Sequence, residues 1–143
     1  MFQLSIVTAE GLVYQGEIEM LVAATVNGEI GILTNHHPLV TKLGPGAMRA
    51  VKADKSEQLL FVNGGYLEVI NNKATVLADV AENMDALEVE QARAARLKAQ
   101  EALTRVRTSR EANEAEMAKL EEELRAQMVR ERLAEVNKFK KKR

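Results

Sequence analysis

Apolar and polar residues alternate in short runs over the first half of the chain and recur every three to four positions over the second. In the run 2–8, Phe2, Leu4 and Ile6 alternate with Gln3 and Ser5, the period-two signature of a half-buried strand. Residues 17–26 form a second run, with Ile18, Met20 and Val22 on one face and Glu17, Glu19 and Leu21 on the other. Shorter runs follow at 31–34, 48–53, 58–62, 66–70 and 73–79. Between them stand Glu10-Gly11, Asn27-Gly28, Gly44-Pro45-Gly46, Asn63-Gly64-Gly65 and Asn71-Asn72, residues that tolerate positive φ or preset a turn. Many short strands at near-regular spacing predict an antiparallel β-sandwich or barrel.

After about Ala81 the period changes. Ala92, Ala95, Ala99, Ala102, Leu103 and Val106 recur at helical spacing, and a second stripe runs through Met117, Leu120, Leu124 and Met128 before drifting to Val129, Leu133 and Val136. Ser109, followed by Glu111 and Ala112, is placed to start the second helix. The pattern predicts an antiparallel helical hairpin with a thin, alanine-lined seam. A buried CH₂ is worth about 0.8 kcal/mol, so an alanine seam holds weakly and the hairpin is expected to be the least stable part of the molecule. All eight glycines and both prolines lie at or before Gly65, which sharpens the division. The expected fold is α+β: a β-sandwich over 1–83, then a two-helix hairpin over 84–143.

Charge divides along the same line. Residues 1–83 carry five Lys/Arg against nine Asp/Glu, net −4, and residues 84–143 carry fifteen against twelve, net +3. Neither half is a basic nucleic-acid surface, and no nucleic-acid partner is expected. Lys138, Lys140, Lys141, Lys142 and Arg143 make one basic cluster at the C-terminal end. The chain has no cysteine, which excludes disulfides and Cys-ligated zinc. No segment approaches the roughly 20 apolar residues of a spanning helix, and the first residues lack the basic start and apolar stretch of a signal peptide. A soluble protein, or one peripheral to a larger assembly, is expected.

Candidate chemistry is sparse. His36 and His37 are adjacent and precede Pro38; neighbours in sequence point apart, and no Cys or acidic cluster completes a metal shell, so no metal is expected. Gly44-Pro45-Gly46-Ala47 lacks the Gly-Lys-Ser/Thr ending of a phosphate loop, and Pro45 removes an amide donor. No serine stands in a G-x-S-x-G elbow. The pattern points to a protein without catalytic residues of its own.

Four segments in register carry a resemblance: IVTAEGLVYQGEIE at 6–19, GEIGILTNHHPLVT at 28–41, GGYLEV at 64–69 and TVLADVAE at 75–82. In this order and spacing they resemble the ε subunits of bacterial F-type ATP synthases. The likeness is dense over about the first 82 residues; the tail is similar in length, alanine content and charge texture. The resemblance implies a sandwich of two five-stranded sheets followed by two helices. It implies a place on the central stalk, joining the γ subunit to the membrane c-ring, peripheral on the cytoplasmic side of the bacterial cell membrane and attached only through the complex. It implies helices able to lie down or to extend toward the α and β subunits and inhibit ATP hydrolysis. By the same resemblance Glu29, Gly31, His36 and His37 are candidates for the c-ring contact, with Thr34 standing where the family usually has Pro.

In many bacterial relatives the first helix opens with Ile/Leu-Asp-x-x-Arg-Ala, a motif that binds ATP. The matching stretch is Leu87-Glu88-Val89-Glu90-Gln91-Ala92: Glu88 keeps the charge of the Asp, Ala92 fits, and Gln91 replaces the Arg and its fixed guanidinium fork. Glu82 is retained, and Lys98 stands where relatives often have Arg. ATP is therefore expected to bind weakly or not at all, and no cofactor is expected. Arg125, Arg130, Arg132, Lys138 and Lys140 on the second helix are candidates for meeting an acidic segment of the β subunit; the same charges also form i,i+4 pairs on a solvated face. A second functional reading is an ATP-sensing regulatory module whose hairpin is a nucleotide-controlled switch.

Overall fold

The computed structural model describes residues 1–84, 89–109 and 113–141, with the backbone alone described for 139–141. It contains seven strands and two helices that fall into two compact units, Met1–Ala86 and Leu87–Arg143.

The strands are β1 (Phe2–Thr8), β2 (Gly11–Ile18), β3 (Met20–Thr25), β4 (Gly28–Leu33), β5 (Leu39–Val51), β6 (Glu57–Ile70) and β7 (Lys73–Asn83). Hydrogen bonding links them in the order β2-β1-β7-β6-β5-β3-β4. Five of the six pairings are antiparallel; β1 and β7 run parallel. The three long strands serve two layers each. The β5–β6 ladder is interrupted between Lys42↔Tyr66 and Gly46↔Val62, and the β6–β7 ladder between Asn63↔Val80 and Gly65↔Ala78. At those breaks the sheet folds over. One layer holds β2, β1 and the halves of β7, β6 and β5 at 73–78, 65–70 and 39–42; the other holds β4, β3 and the remaining halves. Each layer thus has five strand segments.

The core forms between the layers. Phe2, Leu4, Ile6, Leu67, Val69, Ala74 and Val76 from the first pack in one cluster with Leu21, Ala23, Ile32, Met48, Ala50 and Leu60 from the second. With no Trp in the chain, packing rests on aliphatic side chains interdigitating across the ~10 Å between packed sheets. The bend relies on glycine. Gly64 and Gly65 have φ of 75° and 98° inside β6, where a residue with a side chain is strained. Gly46 sits so close to β3 that an added Cβ would come 2.6 Å from the Ala24 Cβ.

Several strand expectations need correction. Asn63-Gly64-Gly65 is the bend within β6 rather than a loop between two strands. Strand β2 goes unpredicted because it lies at the sheet edge with most of its side chains exposed, which blurs the alternation. In the run 17–26, Ile18 and Leu21 are both buried. The chain crosses between layers at Glu19, whose N–H donates to the Val51 carbonyl at 2.7 Å, and the crossing shifts the alternation by one. The hairpin at Asn27-Gly28 and the Asn71-Asn72 turn, with φ of 50° and 59°, form where expected.

The second unit is a hairpin of α1 (Val89–Arg107) and α2 (Glu114–Lys141). Asn113, rather than Ser109, caps α2: its Oδ1 accepts from the Glu116 N–H at 2.7 Å. Val89 and Ala92 pack with Ala134, and Leu103 is buried farther along. Ala95, Ala99 and Ala102 line a groove of about 310 Å³ with Lys98, Leu120, Glu123 and Gln127, so the alanine seam leaves space unfilled. Met128 and Val136, read from periodicity as seam residues, are 49% and 44% exposed.

Candidate functional site

Three surfaces of the two units carry the candidate residues. The first is the end of the sandwich where β4 hands over to β5. Residues 34–38 cross from one layer to the other there. Asn35 adopts φ 61°, and the His36 N–H donates to the Leu33 carbonyl at 3.1 Å. The His36 Nδ1 lies 2.7 Å from the His37 carbonyl oxygen; a carbonyl can only accept, so Nδ1 carries the proton. His36 is half-buried and His37 exposed. The Asn72 side chain reaches the same end, accepting from the Asn35 N–H at 2.8 Å and donating to the Met1 carbonyl at 2.8 Å. The 52–56 turn closes the end beside it, with Lys55 Nζ 2.7 Å from Glu19 Oε2. The Ser56 hydroxyl and N–H hold the Asp54 carboxyl below the usual carboxylate range.

Glu29 and Gly31 do not share that end. Both are exposed on β4, with Gly31 two residues and Glu29 four residues before Leu33. At about 3.3 Å per residue, Glu29 is roughly 13 Å along the strand from the loop. Gly31, His36 and His37 form a nearer set, with Glu29 at the far margin.

The second surface is one level of the outer face of the first layer. Register aligns Lys42 with Tyr66, Tyr66 with Leu77, Leu77 with Val7 and Val7 with Leu12 across five neighbouring strands. Tyr66, Leu77 and Leu12 are 55%, 58% and 60% exposed. Side chains in register on adjacent strands make a continuous apolar row, and contiguous apolar surface marks interaction sites where scattered residues do not. These residues were not singled out from sequence. For three of them the signal is present in it, since Tyr66, Leu77 and Val7 stand one position out of phase with the core residues Leu67, Val76 and Ile6; Leu12, flanked by exposed residues on β2, carries no such signal.

The third surface is on the hairpin. Arg125, Met128, Arg132 and Val136 recur at i, i+3, i+7 and i+11, share one face of α2, and are exposed. Arg130 lies off that face, half-buried, with its Nη1 donating to the Gln127 side chain at 3.3 Å. Lys138 is exposed, and the side chain of Lys140 lies outside the described residues. On α1, Gln91 and Lys98 are exposed, whereas Ala92 is committed to the seam. Glu88 lies outside the described residues, and Glu82 is half-buried on β7. Carboxylates of α2 meet the guanidinium groups of α1. Arg93 lies 3.6 Å from Glu131, 3.4 Å from Glu135 and 3.9 Å from Glu90. Arg96 is bonded to Glu131 and to Gln100, and Arg107 lies 3.0 Å from Glu121.

Among the described residues no group of three or more His, Cys, Asp or Glu could hold a metal ion, and no helix is long and apolar enough to cross a membrane. Comparison with known proteins matches residues 1–84 to the family model described as ATP synthase, Delta/Epsilon chain, beta-sandwich domain. The chain is 40% identical over 136 residues to the ATP synthase epsilon chain of Herpetosiphon aurantiacus, covering 95% of this chain and 96% of that one. It is 37% identical over 138 residues to the epsilon chain of Delftia acidovorans, covering 96% and 95%. Among solved structures, a chain of the Euglena gracilis mitochondrial ATP synthase OSCP/F1/c-ring assembly aligns with a TM-score of 0.74 at 18% identity, over 91% of this chain and 79% of that one; at that identity the likeness is one of fold. With the family model spanning the whole sandwich and relatives matching sandwich and hairpin end to end, the chain belongs to the family of ATP synthase epsilon chains.

Proposed function

We propose that this chain is the non-catalytic rotor subunit of the central stalk in an F-type ATP synthase, joining the γ subunit to the membrane c-ring and restraining ATP hydrolysis through its C-terminal helices. It works on the cytoplasmic side of the bacterial membrane, held there by the complex. The observation that carries the reading is the apolar row Tyr66–Leu77–Val7–Leu12 on a stiff sheet. Three large side chains exposed by more than half, in register on a two-layer body, form a surface that another protein covers. A part that transmits torque needs rigid faces rather than reactive groups. The row is assigned to γ, and the 33–39 end, with His36 and His37 on it and Gly31 next to it on β4, to the ring.

The arginine–methionine–arginine–valine stripe of α2 is assigned to the α and β subunits. Opposite charge on an acidic segment of β would hold the extended helix there, and salt would weaken that hold.

Binding to purified γ tests the row. Leu77 points away from the core, so Leu77→Asp leaves the circular dichroism spectrum unchanged. A leucine buried at an interface is worth about 2 kcal/mol, which corresponds to roughly 30-fold in affinity. The variant is expected to bind γ at least ~30-fold more weakly. Undiminished binding would refute the assignment of this face to γ.

A further inference from the structure

We propose that Asn72 is the positioning residue of the 33–39 loop: its one carboxamide ties the loop, the chain start and the β6–β7 hairpin into a single contact surface. The proposal rests on the reading of that loop as the ring contact.

The loop has five residues, 34–38, between β4 in one layer and β5 in the other, and lies outside the strand ladders. Two local bonds, His36 N–H to the Leu33 carbonyl and His36 Nδ1 to the His37 carbonyl, shape the turn without anchoring it to the rest of the body. The anchor comes from 37 positions away. Asn72 Oδ1 accepts from the Asn35 N–H at 2.8 Å, and Asn72 Nδ2 donates to the Met1 carbonyl at 2.8 Å. Through its own carbonyl Asn72 also accepts from the Gln3 N–H at 3.4 Å, which lays the start of β1 against the hairpin. Three segments distant in sequence therefore meet on one residue.

Asparagine is specified twice at this position. Its backbone has φ 59°, a conformation that Gly and Asn take most easily. Glycine would serve the turn better but supplies neither bond. Aspartate supplies the acceptor for Asn35 but, as a carboxylate, no donor for Met1. Of these three, only the asparagine amide both accepts and donates. Asn35, the residue it holds, also has positive φ, 61°, and is followed directly by His36 and His37. Fixing the Asn35 N–H thus fixes the direction in which the two histidines leave the body.

Asn72→Gly and Asn72→Asp in the full chain separate this role from a role in the turn. In Asn72→Gly, amide exchange at Asn35 and His36 is expected to quicken at least tenfold by NMR, while Leu67 and Val76 in the core keep their protection. In Asn72→Asp, exchange at Asn35 is expected to stay within about threefold of the parent, because the acceptor survives. Rebuilt into the ATP synthase, Asn72→Gly is expected to lower ATP-driven proton pumping per ATP hydrolysed at least twofold, with Asn72→Asp close to the parent. Unchanged exchange at Asn35 in the glycine variant, or equal loosening in both variants, overturns the assignment of Asn72. A loosened loop with pumping intact overturns instead the reading of the loop as the ring contact.

Discussion

Gly65 shows how much of this fold is decided by single positions. Its φ is 98°, and a Cβ built there would overlap the Leu77 carbonyl oxygen and come 2.8 Å from the Ala78 Cα. Backbone on the facing strand cannot swing aside as a flexible side chain can. Gly65→Ala is therefore expected to cost about 3 kcal/mol, from left-handed strain together with displacement of β7. In a unit of this size that lowers Tm by more than about 10 °C. Gly31→Ala is the control: φ there is not positive and the added Cβ meets open space, so Tm should stay within about 2 °C. Thermal melts of the two variants, followed in the strand region of the circular dichroism spectrum, check the contrast, and equal Tm values would refute it. The sequence shows that 63–65 is special, since Asn-Gly-Gly announces unusual backbone. It does not show that the strand continues through the break, because that depends on β7 and β5 pairing on both sides. Asn72 is similar. Its turn is legible, while its bonds to Met1 and Asn35 join residues that only the folded chain brings together.

Among the elements, the helical hairpin was the more legible in outline and the less so in its contacts. The alanine stripe gives α1 its inward face, and Ala92 lies where the period places it, but the ion pairs between the two helices join residues 14 to 42 positions apart. Their meeting depends on how one helix slides along the other, which periodicity leaves open. Those pairs bear on nucleotide binding. Arg93 and Arg96 are strong cations on α1, and they face Glu90, Glu131 and Glu135, two positive charges against three negative. A triphosphate arriving there would compete with carboxylates already in place and meet a site with no surplus positive charge. Gln91, at the arginine position of the motif this stretch resembles, is exposed and neutral. ATP is accordingly expected to bind this chain no more tightly than about 100 μM, equivalent to roughly 5.5 kcal/mol. Isothermal titration of the full chain checks this, and a dissociation constant in the low micromolar range would favour the nucleotide-controlled switch instead.

For the whole molecule, the two units differ in what holds them. The sandwich closes on a core drawn from both layers, whereas the hairpin rests on alanines around a groove of about 310 Å³ and on surface ion pairs worth about 0–1 kcal/mol each. That difference was legible early, from the glycines and the change of period, because composition alone separates a turn-rich body from an unbroken helical tail. The identity of the contact faces was not, since exposure is a property of the assembled sheet. The difference also suits the proposed role, in which the body turns with a shaft while the tail changes partners. A weakly held hairpin opens at little cost, and its outward stripe of Arg125, Met128, Arg132 and Val136 offers charge and apolar surface along about three turns of one helix. If, as proposed, that stripe engages the catalytic head and the sandwich binds γ, removing the stripe frees hydrolysis while γ stays bound. An ATP synthase rebuilt with a chain ending before Leu87 should therefore hydrolyse ATP at least about threefold faster than the parent complex, equivalent to roughly 0.6 kcal/mol of restraint. Its γ should co-purify with the shortened chain in unchanged proportion. The enhancement should shrink as ionic strength rises, because salt weakens the arginine contacts of the intact tail and so raises the parent rate toward that of the shortened form. Equal rates for the two complexes at low salt, with γ still bound, would remove the tail from control of hydrolysis and leave the sandwich as the whole of the coupling device.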